Sequence, residues 1–132
     1  RNSGAEAVVE GCDSNGCEYM TGGCVVVLGK IGDNFAAGMT GGMAFVYDSD
    51  KDIENYINTG SVIYQVPETD YWKNYLKKLI KEHFKETESE VSKKILKNFD
   101  SEINNFKQIC PKEMLDKLSN PITFKLKVSK AV

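Results

Sequence analysis

Met20-Thr21-Gly22-Gly23 recurs 19 residues later as Met39-Thr40-Gly41-Gly42, and each copy runs into a short apolar stretch, Cys24-Val25-Val26-Val27-Leu28 and Met43-Ala44-Phe45-Val46-Tyr47. The same turn launches the same kind of strand twice. Sliding the chain along itself by 19 residues adds a third, degenerate copy, in which Asn2, Ser3 and Gly4 fall on Thr21, Gly22 and Gly23. Val8, Val27 and Val46 then form one column. A short period with a glycine turn marks a unit that cannot bury its own apolar face and stacks on its neighbours.

Each period also holds a second candidate strand, Cys17-Glu18-Tyr19-Met20 in the first and Asn34-Phe35-Ala36-Ala37-Gly38-Met39 in the second. The other corner is supplied by the stretches from Gly11 to Gly16 and from Gly29 to Gly32, glycine being suited to positive φ and to close backbone approach. Two strands and two turns per period predict a parallel β-helix, a solenoid, over residues 1–66. An antiparallel stack of hairpins shares this periodicity, because short apolar runs do not set strand direction. The expected structural turns are Gly4, Gly11, Gly16, Gly22, Gly23, Gly29, Gly32, Gly38, Gly41 and Gly42.

The composition divides where the repeat ends. All 11 glycines lie between Gly4 and Gly60, whereas 14 of the 17 basic residues lie beyond residue 60. Residues 1–60 carry three basic and nine acidic side chains, net −6, and residues 61–132 carry 14 and 10, net +4. Gly60-Ser61-Val62-Ile63-Tyr64-Gln65-Val66 reads as one more strand closing the stack. After Pro67, Trp72, Leu76, Leu79, Ile80 and Phe84 follow helical spacing, with Thr69 or Asp70 as cap. Thr87-Glu88-Ser89-Glu90 reads as a capping box ahead of a second amphipathic helix through Val91, Ile95, Phe99, Ile103 and Phe106. The fold class expected is therefore mainly β with an α tail: β-helix coils over 1–66, a helical hairpin packed on them over 67–110, and a C-terminal extension over 111–132, its end extended or partly disordered.

Several chemistries are argued against by spacing. Cys12, Cys17, Cys24 and Cys110 are expected as free thiols, and Cys12-x4-Cys17-x6-Cys24 lacks the C-x2-C clamp of zinc and cluster sites. Asp48-x-Asp50-x-Asp52 opens like a calcium loop, but Ile53 stands where that loop needs Gly and Thr59 where it needs Glu. It reads as a solvated turn. No phosphate-binding G-x-x-x-x-G-K-[ST] follows any of the glycines. Lys73, Lys77, Lys81, Lys93, Lys94 and Lys97 are expected on solvated faces; Glu82, Glu86, Glu88 and Glu90 interleave with them, which argues against nucleic acid. His83, between Ile80 and Phe84, reads as a histidine at the edge of a core. No apolar stretch approaches the roughly 20 residues that cross a bilayer, so no membrane partner is expected. Arg1-Asn2-Ser3-Gly4 reads as a start inside a longer polypeptide.

Arg1 to Ala5, Ala7-Val8-Val9-Glu10-Gly11, Gly16 to Gly23, Val25 to Gly29 and Asn34 to Met39 closely resemble the carboxy-terminal domain of the glutamate synthase large subunit. The resemblance continues through Asn58-Thr59, Lys81-Glu82-His83 and Pro111-Lys112-Glu113. It departs at Gly11-Cys12-Asp13-Ser14-Asn15-Gly16, where the family usually reads Gly-Val-Gly-Asp-His-Gly. In that family the domain is a right-handed β-helix named for its G-x-G-x-G repeats. The amidotransferase cysteine, the FMN and the iron-sulfur cluster lie elsewhere in the parent chain, which makes two glutamates from glutamine, 2-oxoglutarate and a reductant. The resemblance thus implies a scaffold with no catalytic, cofactor-binding or metal residue of its own. Its partners would be the other domains of the same polypeptide and a small reductase subunit or domain, in a reducing intracellular compartment, cytoplasm or plastid. Related glycine-repeat domains also occur as separate subunits, so a stand-alone interaction module is the alternative; the helical tail favours the large-subunit reading.

Overall fold

The structure is a computed structural model describing residues 3–11, 16–118 and 120–122. Three strands carry the repeat: β1 (Ser3–Val9), β2 (Thr21–Val27) and β3 (Gly41–Tyr47). They are followed by β4 (Val62–Gln65), helices α1 (Asp70–Thr87), α2 (Glu90–Lys97) and α3 (Phe99–Glu102), and β5 (Phe106–Pro111). All five strands form one sheet in the order β1-β2-β3-β5-β4. The repeat strands are mutually parallel, and β5 runs antiparallel to both β3 and β4.

This overturns the β-helix. The stretches expected as second strands of each coil are turns, because the backbone takes positive φ at Cys17 (57°) and Tyr19 (54°), and again at Asn34 (59°), Ala36 (67°) and Gly38 (67°). Alternating left-handed residues cannot continue a pleated strand. Only Phe35 pairs there, in a single parallel bridge with Ile57. Without a second sheet no coil closes, and the molecule is a small mixed α/β domain rather than a solenoid. The flank of β3, where a solenoid would place its next coil, is taken by β5 from beyond the helices. The stretch at Gly60–Val66 does form a strand, but at the far edge, on β5 and away from β3.

The register also differs from a uniform 19-residue ladder. Ser3 stands opposite Gly22, but Val8 stands opposite Val26 and Val9 opposite Val27. Two residues of β1, Gly4 and Ala5, therefore oppose Gly23 alone, a bulge that moves the column by one. The same step recurs between β2 and β3, where Gly22 and Gly23 oppose Gly42 before Cys24 meets Met43. The columns are thus Val8/Val26/Phe45 and Val9/Val27/Val46. Because side chains alternate, these columns face opposite sides of the sheet.

One face carries Cys24, Val26, Phe45, Phe106 and Cys110, buried against Leu76, Leu79 and Ile80 of α1, Ile95 of α2 and Phe99 of α3. The other carries Val27, Ala44, Val46, Val62 and Ile109, covered by Met20, Phe35, Ala36, Met39, Ile53 and Ile57 from the turns. Thr69 caps α1, its hydroxyl accepting from Trp72 N, and the helix ends where Glu88 turns left-handed (φ 54°). The cap of α2 is Ser89, which accepts from Ser92 N, rather than Thr87. Thr87 instead donates to the His83 carbonyl and accepts from Ser89 N. The expected long second helix stops at Lys97, where Asn98 (φ −127°, ψ 40°) leaves the helical region. Ile103 ends up in a 3-10 turn and Phe106 begins β5.

Candidate functional site

The glycines singled out from sequence lie along the amino-terminal ends of the strands and the turns between them. Gly4 lies in β1, Gly22 and Gly23 in β2, and Gly41 and Gly42 in β3. Gly11 and Gly29 follow the carboxyl ends of β1 and β2, Gly16 and Gly38 lie in the stacked turns, and Gly32 lies in the connection between β2 and β3. Three of these positions are closed to any side chain by neighbouring backbone: Gly41, Gly29 and Gly42, where a Cβ would stand 2.8 Å from the Gly22 carbonyl. A methyl group on Gly41 would overlap the carbonyl of Thr21, and one on Gly29 would overlap the carbonyl of Glu10. Gly11 is different: among the described residues only the Lys30 carbonyl oxygen, 3.7 Å away, comes near where a Cβ would stand. The corner at Cys12 to Asn15, where the sequence departs from the resembled pattern, lies outside the described residues.

The turns between strands stack on one another through backbone hydrogen bonds. Tyr19 N donates to Ala37 O at 2.8 Å, Ala36 N to Gly16 O at 2.7 Å, and Thr40 N to Met20 O at 2.9 Å. The glycines thus let main chain approach main chain, and the Tyr19, Ala36 and Thr40 amides are taken up by neighbouring turns.

A polar seam locks α1 across the edge strand. Tyr75 OH donates to the Glu6 carboxylate, and His83 Nε2 lies 3.0 Å from Glu10 Oε2. The spacing matches: eight residues of helix rise about 12 Å, and four residues of strand about 13 Å. His83 is the histidine at a core edge that its spacing suggested, its side chain 14% exposed. Hydrogen bonds from Ser89 and then His83 hold the Glu10 carboxyl below its ordinary value. Burial, and then the Glu6 hydrogen bond, push the Tyr75 phenol up. The tyrosine is therefore a donor and not a base.

At the carboxyl ends of β2 and β3 a cavity of about 240 Å³ is lined by Leu28, Val46, Ile53 and Ile95, with Lys30 and Asp48 among its polar groups. Asp48 is buried and committed: its Oδ1 accepts from Asp52 N at 3.1 Å, and its Oδ2 lies 3.6 Å from Lys107 Nζ. Asp50 pairs with Lys30 at 3.0 Å. The turn expected as solvated is so at Asp50, whereas Asp48 is buried and held by internal partners. Beside it Tyr47 OH donates to Glu102 Oε1 at 2.7 Å, and Asn105 Nδ2 donates to the same oxygen at 2.9 Å. Burial raises the Tyr47 phenol to about 12, with Glu102 adding to the effect. Burial also pulls Glu102 upward, but hydrogen bonds from Tyr47 and Asn105 outweigh it and its carboxyl stays below the ordinary value.

Cys24 and Cys110 are free thiols and Cys17 forms no disulfide among the described residues; Cys12 lies outside them. Burial pushes Cys24 up to about 12 and Cys110 up to about 11, the reverse of an activated nucleophile. Among the described residues no three His, Cys, Asp or Glu side chains gather as metal ligands. An iron-sulfur cluster needs grouped thiolates, so these residues do not fit one. No described helix is long and apolar enough to cross a membrane.

The sequence pattern did not reveal the capture of residues 120–122. Trp72 Nε1 donates to Asn120 O at 2.8 Å, Thr69 Oγ1 to Pro121 O at 3.5 Å, and Gln65 Nε2 to Ile122 O at 2.8 Å. Three side chains hold three successive carbonyls, and the Ile122 side chain is buried in the core. The expected extended or disordered tail is thus anchored at 120–122, while residue 119 and residues 123–132 lie outside the described residues.

Three parallel repeat strands with glycine-containing bulges and interlocked turns, joined by β4 and β5 and covered by helices, define a small mixed α/β domain. The chain belongs to the GXGXG motif family, whose model matches residues 1–112. Its relatives are glutamate synthases. It is 54% identical over 122 residues to the glutamate synthase [NADPH] large chain of Azospirillum brasilense, covering 92% of this chain and 8% of that one. It is 47% identical over 113 residues to the glutamate synthase [NADH] of Schizosaccharomyces pombe, covering 86% and 5%. It is also 47% identical over 111 residues to the chloroplastic ferredoxin-dependent glutamate synthase of Spinacia oleracea, covering 84% and 7%. The chain therefore spans less than a tenth of the length of these relatives.

Proposed function

We propose that this chain is the carboxy-terminal scaffold domain of a glutamate synthase, holding the amidotransferase and flavin domains of its parent polypeptide in register. The observation that carries the reading is the match of 54% identity over 92% of the chain to a glutamate synthase large chain, of which it makes up 8%. The side chains here support a non-catalytic role. Cys24 and Cys110 are shifted away from reactivity, Tyr47 and Tyr75 are engaged as donors, and the Tyr19, Ala36 and Thr40 amides bond to neighbouring turns. In this reading FMN and an iron-sulfur cluster belong to other parts of the parent enzyme, and no step of the reaction passes through residues 1–132.

A domain with a continuous sheet between two buried layers suits that task, because a rigid body fixes its neighbours through many small contacts rather than a tether. The test is purification of the 132-residue chain alongside the parent protein. The parent should convert glutamine and 2-oxoglutarate to glutamate and carry flavin absorbance. The chain alone should do neither. Turnover or stoichiometric flavin in the chain alone would overturn the scaffold reading.

A further inference from the structure

The chain that leaves β5 is fastened at two points and loose between them. Pro111 and Ile122 are buried, whereas none of the residues from Lys112 to Leu118 is. At the first point Lys112 N donates to Ser61 O at 2.8 Å, and at the second Trp72, Thr69 and Gln65 hold the three carbonyls of residues 120–122. Between these points the main-chain hydrogen bonds among the described residues stay within the turn, Leu115 N to Lys112 O at 3.4 Å and Lys117 N to Met114 O at 3.0 Å. A hollow of about 210 Å³ is lined by Met114 and Leu118 of this segment together with Cys24 and Met43 of the sheet and Trp72 and Tyr75 of α1. Side chains that border a hollow forfeit the dispersion contacts a filled site would give, so Met114 and Leu118 hold the segment down weakly. The helix beside it is fixed far more firmly: α1 buries Leu76, Leu79 and Ile80 and is tied to β1 through Tyr75–Glu6 and His83–Glu10.

We propose that Lys112–Leu118 is a lid that lifts off this hollow as a unit, while the sheet and α1 stay folded, and so bares the Cys24 thiol. Segments with few buried contacts open at a lower free energy than the whole domain, and this one is buried only where it is anchored. The hinge is the Pro111 end, which continues a paired strand. The end that lets go is residues 120–122, held by side chains rather than by strand pairing. With the lid down Cys24 is 3% exposed, and burial keeps its thiol protonated. It therefore reports on the lid, reacting only when the lid is up.

Native-state thiol labelling of the full-length protein, read by mass spectrometry of the Cys24 peptide with amide hydrogen exchange in parallel, tests this. The opening constant at Cys24 should exceed that of the β3 amides by about tenfold or more and change little in dilute urea, as a local opening that exposes little surface does. Ile122→Ala, which weakens the anchor, should speed Cys24 labelling by about tenfold or more. Ile109→Val, on the opposite face of the sheet, should speed exchange at the β3 amides about fivefold and leave Cys24 labelling unchanged, because that face stays packed when the lid lifts. Equal opening constants at Cys24 and β3, or Cys24 labelling that rises with Ile109→Val or ignores Ile122→Ala, would overturn the lid. So would α1 amides that open together with Cys24, since the helix would then be what moves.

Discussion

Gly41 and Gly29 show what a single missing Cβ does in this fold. Each lies where one strand unit passes over the carbonyl of the one before it, so a methyl group must push backbone rather than a flexible side chain. We predict that Gly41→Ala and Gly29→Ala each lower unfolding free energy by about 1–3 kcal/mol, measured by denaturant titration. Gly11→Ala should change it by no more than about 0.5 kcal/mol; three equal effects would refute the close-approach account. A second residue-scale prediction concerns Gln108: among the described residues its Nε2 meets only Met43 Sδ, at 3.5 Å, and its buried Oε1 has no hydrogen-bond partner. Gln108→Met should hold or raise stability, by up to about 1 kcal/mol, since it removes an unsatisfied buried acceptor at nearly constant shape. A marked loss would mean that the amide is satisfied in solution.

Among the elements, the bulged strands and the α3–β5 connection carry the most information. The paired glycines were legible in sequence as turns, and their spacing located the strands. Their role as bulges was not legible, because a bulge depends on how many residues face one another across the ladder. Strand β5 was hidden for a related reason. Ile103 and Phe106 keep helical spacing with Phe99, and only the break at Asn98 and the docking of Phe106–Pro111 between β3 and β4 turn that stretch into sheet. The connection into β5 is held by Tyr47, Glu102 and Asn105, which makes it sensitive to acid. The folded Glu102 carboxyl lies below its ordinary value of 4.5, so its contribution is complete above that value and is lost as pH falls through the lowered folded value. Glu102→Gln should therefore flatten the acid limb of stability against pH while lowering stability at neutral pH. An unchanged acid limb would place the sensitive group elsewhere.

At the scale of the whole molecule, the capture of residues 120–122 ties the end of the described chain to β4 and α1. Ile122 is 1% exposed and Trp72, the one tryptophan, donates to Asn120 O. Ile122→Ala should cost about 2–4 kcal/mol and shift Trp72 emission to the red as the strap loosens; unchanged emission and stability would show that the strap does not hold in solution.

The sequence by itself determined the glycine punctuation, the three repeat strands, α1 with a cap at Thr69 or Asp70, the division between a glycine-rich and a lysine-rich half, and the resemblance to glutamate synthase. All of these follow from local periodicity, turn chemistry or motif identity. Only the tertiary structure decided that the repeat lies flat in one mixed sheet instead of winding into coils. Left-handed residues between the strands stop a second sheet from forming, and β5, more than 50 residues further along the chain, pairs with β3 where the next coil would have gone. Strand pairing is a contact between distant segments, and no local pattern can specify which of them arrives first at an open edge.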